Sequence, residues 1–122
     1  MEHLDKFIRQ NIPSGFSIRQ KPHKLVSELD VDFIGEIAKA TAQKIDYVLA
    51  SCGTLGGGNH FMELDLDDNG DYWFTVHTGS RNFGLKIANY FQTIAKKEMA
   101  HSLGSMNGLE YLTGQAMQDY IR

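Results

Sequence analysis

His60 and His77 have the residue type and spacing best suited to chemistry in this sequence. They stand at opposite ends of two alternating runs, about 60–66 and 71–77, whose pattern predicts strands. Between the runs lies Asp67-Asp68-Asn69-Gly70, a strong hairpin turn signal. With a two-residue turn, paired positions sum to 139 and His77 faces Met62; with a four-residue loop they sum to 137 and His77 faces His60. Either register puts both imidazoles on one face, with Cβ atoms about 4.5–5.5 Å apart if opposite and roughly 7–8 Å if diagonal. Two imidazoles so placed can share one divalent ion, or each bind one of two neighbouring ions. The plainer alternative is two hydrogen-bonded histidines on a half-buried strand. A finished metal site needs three or four ligands. Strict alternation points Glu63 and Asp65 away from His60. Cys52 offers a soft sulfur upstream, although a single cysteine is more often a small buried residue.

Two further segments could hold an anion. Gly56-Gly57-Gly58 precedes Asn59 and His60, and glycine runs occur where main chain takes positive φ or approaches a ligand closely. Its amides could cradle a phosphate, or the run could simply be a tight connection into a strand. It matches neither G-x-x-x-x-G-K-[ST] nor G-x-G-x-x-G. Thr78-Gly79-Ser80-Arg81 lies between a strand and a helix start, where a hydroxyl cap, free amides and a guanidinium suit an anion. A merely capped helix is the alternative. His3, His23 and His101 have no partner pattern and are expected at the surface.

The elements that must position these residues make an α+β fold: a mixed sheet containing the hairpin, packed with helices. A short helix is expected near Leu4–Ile8, and Asn11-Ile12-Pro13-Ser14-Gly15 is a turn cluster. A second helix is expected from about Asp32 to Ile45, with Phe33, Ile34, Ile37, Ala38 and Ile45 on one stripe. Tyr47-Val48-Leu49-Ala50 fits either a helix end or a strand. A third helix should run from about Arg81 to Met99 on Ile87, Tyr90, Phe91, Ile94 and Ala95. A fourth should run from Leu109 to Ile121.

The 122 residues are 42% apolar, with one cysteine and a net charge of −3. That suits one small domain and excludes a disulfide framework, a coiled coil and a histone-like basic binder. No apolar window is long enough to span a membrane, and no signal peptide opens the chain, so cytoplasm is the default compartment. Charge is uneven: net +3 up to Lys24, −8 from Glu28 to Asp71, and +3 from Tyr72 to His101. The acidic middle suits a cation. The amphipathic pattern is still running at Arg122, so residues 1–122 are expected to form a single partial domain of something longer. Apolar surface left open by truncation would favour self-association.

Taken together, Gly53-Thr54-Leu55-Gly56-Gly57-Gly58-Asn59-His60-Phe61-Met62-Glu63 and His77-Thr78-Gly79-Ser80-Arg81 closely resemble two central motifs of the RtcB family of tRNA-splicing RNA ligases. These are GTLGGGNHF-x-E and H-[ST]-G-S-R. The upstream Asn11-Ile12-Pro13-Ser14-Gly15 is similar too, and the likeness spans essentially the whole chain as a central slice of a longer protein. The resemblance implies a GTP- and manganese-dependent ligase that joins 2′,3′-cyclic phosphate or 3′-phosphate RNA ends to 5′-hydroxyl ends. The reaction would pass through a guanylylated histidine, with two Mn²⁺ ions in the complete site. By the same resemblance His60 and His77 would be metal ligands. Asn59, His60, Phe61, Met62 and Glu63 would line the guanylate, and Ser80 and Arg81 would hold an RNA phosphate.

The departures are informative. The family's metal-binding cysteine belongs to an Asp-x-Gly-Cys-Gly motif that nothing before His60 matches, so Cys52 does not inherit its role. Another metal histidine and the histidine nucleophile fall beyond Arg122, so no catalytic residue is assigned in this chain, which is expected to be inactive alone. Asn82 stands where the family usually has glycine. Glu63 would need a bulge or twist to join His60. Two other readings are a non-catalytic metal- or nucleotide-binding module and a metal-dependent phosphoesterase. The phosphoesterase lacks bridging carboxylates on the histidine face.

Overall fold

The computed structural model describes residues 2–79, 82–100 and 109–122. The chain falls into two compact units, Met1–Arg81 and Asn82–Arg122.

In the first unit the alternating runs form an antiparallel hairpin of β1 (Phe61–Leu66) and β2 (Tyr72–His77). Its register runs from Phe61 opposite His77 to Leu66 opposite Tyr72, so paired positions sum to 138. This corrects both expected registers. The connection holds an odd number of residues. The Gly70 amide donates to the Asp67 carbonyl at 3.0 Å, and the Asp67 amide donates to the Asp71 carbonyl at 3.0 Å. Gly70 has φ +87, while Asp68 and Asn69 keep negative φ. That is a type I turn followed by a left-handed residue, the three-residue hairpin loop with a bulge.

A one-residue slip exchanges faces. Phe61, Glu63 and Asp65 therefore share a face with His77, Thr75 and Trp73, while Met62, Leu64 and Leu66 join Val76, Phe74 and Tyr72. Glu63 lies on the same face as His77, which corrects the expectation that it points away from the pair.

Asp67 fixes the turn. Its Oδ1 accepts from the Asn69 and Asp71 amides at 2.9 Å each, and its Oδ2 accepts from Trp73 Nε1 at 3.0 Å. The Trp73 bond first, then the Asp71 amide, holds this carboxyl below its ordinary value of 3.8. A lowered folded value means the contribution is complete above the ordinary value and disappears as pH falls through the folded one. The Trp73 indole NMR signal should therefore titrate with a midpoint below 3.8, and Asp67→Asn should abolish that titration. A midpoint at the ordinary carboxylate value would contradict this account.

Beneath the hairpin, Leu4 and Ile8 of α1 (Glu2–Asn11) are spaced to share one helix face. With Met62, Leu64 and Phe74 they line a groove of about 410 Å³. The helix is longer than the expected Leu4–Ile8. A 3-10 turn at Lys24–Glu28 buries Val26.

Helix α2 (Val31–Ala40) starts where Asp30 caps the Phe33 amide at 2.9 Å. It stops short of the expected Ile45. Ala42 adopts φ +54, the Gln43 amide donates to the Ala38 carbonyl at 2.7 Å, and the Ala42 amide donates to Lys39 at 3.2 Å. This is a Schellman ending with alanine where glycine is usual. Ile45 instead opens α3 (Ile45–Ser51), which settles the open Tyr47–Ala50 run as helix. Val26, Ala38, Val48 and Ala50 are the buried apolar residues among the described residues of this unit.

In the second unit α4 (Asn82–Met99) buries Ala95, and α5 (Gly114–Ile121) packs Tyr120 edge-on against Phe91 at 5.1 Å. The expected helix from Leu109 begins only at Gly114. Helices with one antiparallel hairpin make the fold α+β. Among the described residues the only parallel pairing is an isolated bridge from Ser14 to Gly56. No described helix is long and apolar enough to cross a membrane.

Candidate functional site

Three sequence segments meet around the glycine loop. The Gly15 amide donates to the Gly56 carbonyl at 2.8 Å, and the Leu55 amide donates to the Pro13 carbonyl at 2.9 Å. The Thr78 hydroxyl, just past β2, donates to the Leu55 carbonyl at 2.7 Å. Buried Thr54 closes the loop's start by donating to Ser51 at 2.7 Å. The turn cluster at Asn11–Gly15, the loop from Gly53 and the end of β2 are thus tied to one another by main-chain carbonyls.

The absence of side chains on this loop makes room for His60. Gly56 has φ +93, and a Cβ there would overlap His60 Nδ1. On the other side, a Cβ on Gly79 would meet His60 Nε2 at 3.6 Å, an ordinary contact. The half-buried imidazole lies between two glycines, one from each expected anion segment. Its ring centroid is 5.9 Å from that of His77, with 44° between planes. Exposed His77 in turn stacks on Phe61 at 5.3 Å and 10°.

The two histidines are neighbours, then, but not through the ladder. His60 precedes β1, and the glycine loop turns its ring toward His77. Its Nδ1 is buried without a hydrogen-bond partner among the described residues. This nitrogen is covered by the glycine loop at Gly56, whereas Nε2 is the nitrogen on the Gly79 side.

Two imidazole nitrogens fit a borderline divalent ion. They do not complete its shell: among the described residues no group of three or more His, Cys, Asp or Glu is placed to hold a metal. Cys52 is not drawn in, because its thiol donates to the Val48 carbonyl at 3.5 Å at the end of α3. The Asn59–Glu63 stretch does not converge on one pocket. Asn59 is exposed, Phe61 falls on the His77 face of the ladder, and Met62 and Glu63 both border the groove beside α1, although Glu63 shares the ladder face of His77. Ser80 and Arg81 lie outside the described residues.

One residue of this neighbourhood carried no sequence signal. Arg19 donates from Nη2 to the Gly53 carbonyl at 2.7 Å, and its own amide donates to Ala50 at 3.1 Å. The contact spans a long sequence separation and belongs to no periodic pattern, so only the structure could reveal it.

The family model described as tRNA-splicing ligase RtcB matches residues 2–122. RNA-splicing ligases RtcB from two Escherichia coli strains, K12 among them, are each 39% identical over 79 residues, covering 57% of this chain and 18% of the relative. The tRNA-splicing ligase RtcB of Pyrobaculum aerophilum is 34% identical over 62 residues, covering 38% of this chain and 13% of the relative. The matched stretch is under a fifth of each curated relative. No solved structure matches the chain.

Proposed function

Because the chain belongs to the tRNA-splicing ligase RtcB family, we propose that it supplies the central segment of a GTP- and manganese-dependent RNA ligase. That ligase joins 2′,3′-cyclic phosphate or 3′-phosphate RNA ends to 5′-hydroxyl ends, through a guanylylated histidine contributed from elsewhere in the enzyme. The observation that carries the reading is the histidine pair: rings 5.9 Å apart, with His60 Nε2 on the Gly79 side and not against the glycine loop.

In this assignment His60 and His77 each give one nitrogen to the two-ion manganese site, and the other donors come from other segments. Bound manganese would polarise phosphoryl oxygens and offset their charge. The chain's own contribution is positional. Gly56 and Gly79 leave space for the His60 ring, and Phe61 stacking holds His77. Asn59 through Glu63 are assigned to the guanylate and Ser80 with Arg81 to an RNA phosphate. RNA and GTP are the partners, and the cytoplasm is the compartment.

Manganese should bind the isolated chain weakly, since two ligands make an incomplete site. Titration of Mn²⁺ followed by electron paramagnetic resonance should show binding that His60→Ala, His77→Ala removes. Acidification should weaken it as well, because imidazole must be neutral to coordinate. Identical curves for wild type and double variant would sink the metal assignment.

A further inference from the structure

On the first unit a groove of about 700 Å³ is lined by Arg9, Arg19, Lys21, His23 and Lys24, together with neutral residues and no carboxylate. We propose that this groove carries the phosphodiester backbone of the RNA, an assignment that rests on the ligase reading above.

The chain as a whole is acidic, at net −3, so general attraction to polyanions is not the argument. The argument is local. Five basic residues occur before residue 25, and four of them line this one groove. Their states suit phosphate oxygens. Lys21 and Lys24 are exposed, and no carboxylate lines the groove to neutralise them. His23 Nδ1 accepts from the Leu25 amide at 3.3 Å, which leaves the proton of a neutral ring on Nε2 as a donor. Arg9 is partly engaged by Asp5 at 2.9 Å on its exposed side.

Arg19 connects the groove to the site. It is a groove wall, and its guanidinium also holds the Gly53 carbonyl at the start of the loop that seats His60. A strand lying along this wall is therefore directed toward the glycine loop. Lysines spaced on a loop suit a polyphosphate track because they act as point charges without base preference.

The test uses the 122-residue chain and a fluorescein-labelled single-stranded RNA with a 3′-phosphate, followed by anisotropy across a salt series. Lys21→Glu, Lys24→Glu should raise Kd at least tenfold at low salt. If two phosphate contacts are lost, it should also reduce the salt slope by about 1.4, at about 0.7 per contact on a single strand. Lys96→Glu, Lys97→Glu in α4 makes the same change in net charge and should leave affinity within about twofold. Equal weakening by both pairs would assign the effect to net charge and overturn the groove. Competition by polyglutamate at matched charge would make it an acidic-peptide site and overturn the RNA assignment. Photocross-links from 4-thiouridine RNA should map to residues 9–24, and mapping elsewhere would also overturn it. The titrations are run without manganese, so their outcome does not depend on the metal assignment, and a failed metal assignment and a failed groove give different results.

Discussion

Gly56→Ala should unseat the His60 imidazole and lower manganese affinity at least tenfold, whereas Gly58→Ala should leave that affinity within about threefold. Both glycines have positive φ, +93 and +77, so alanine at either is strained by roughly 1–2 kcal/mol. For a unit of this size that strain lowers Tm by several degrees in both variants. The difference is steric. A Cβ at Gly58 meets nothing within 4 Å, but one at Gly56 overlaps the His60 ring. The loop cannot easily withdraw, because the Gly56 carbonyl accepts from Gly15 at 2.8 Å and the Leu55 carbonyl accepts from Thr78 at 2.7 Å. The ring must move instead. Ring nitrogen NMR shifts of His60 should change in Gly56→Ala and persist in Gly58→Ala, independently of any metal. If Gly56→Ala keeps both the ring shifts and wild-type manganese binding, the loop does not position His60.

That contrast also marks what the sequence could disclose. Alternation and the Asp-Asp-Asn-Gly run were enough to place a hairpin, and apolar stripes were enough for α2 and α4. Register was not legible, because it depends on whether Gly70 sits inside the turn or follows it as a bulge. That is a choice of one residue, and it reverses both faces. The histidines converge for a reason alternation could not supply: His60 lies before the ladder and is aimed by Gly56. The end of α2 was missed because Ala42 takes a left-handed conformation that sequence signals reserve for glycine or asparagine. Tyr47–Ala50 was ambiguous because a four-residue apolar run has no resolvable period. Arg19 was silent for another reason. Its function as a strut depends on a carbonyl 34 positions away.

Arg81, in this segment built into a full-length ligase of the family, should be needed for RNA joining far more than for guanylylation. It follows Ser80 directly and precedes Asn82, where α4 opens. The segment leading to it is anchored, since Thr78 holds the Leu55 carbonyl and Gly79 lies against His60. A guanidinium can engage two phosphate oxygens at once, and an ammonium cannot reproduce that geometry. Loss of such a charged hydrogen bond costs about 1.5–3 kcal/mol, or roughly 10- to 150-fold. Arg81→Ala should accordingly reduce ligation of a 3′-phosphate RNA to a 5′-hydroxyl RNA by that range, and Arg81→Lys should recover only part of it. Labelling with α-labelled GTP should remain close to wild type in both variants, because the contact is with RNA. Were guanylylation to fall in parallel with ligation, Arg81 would belong to the nucleotide site instead. Ligation at the wild-type rate in Arg81→Ala would remove the anion-binding role from Thr78-Gly79-Ser80-Arg81 altogether.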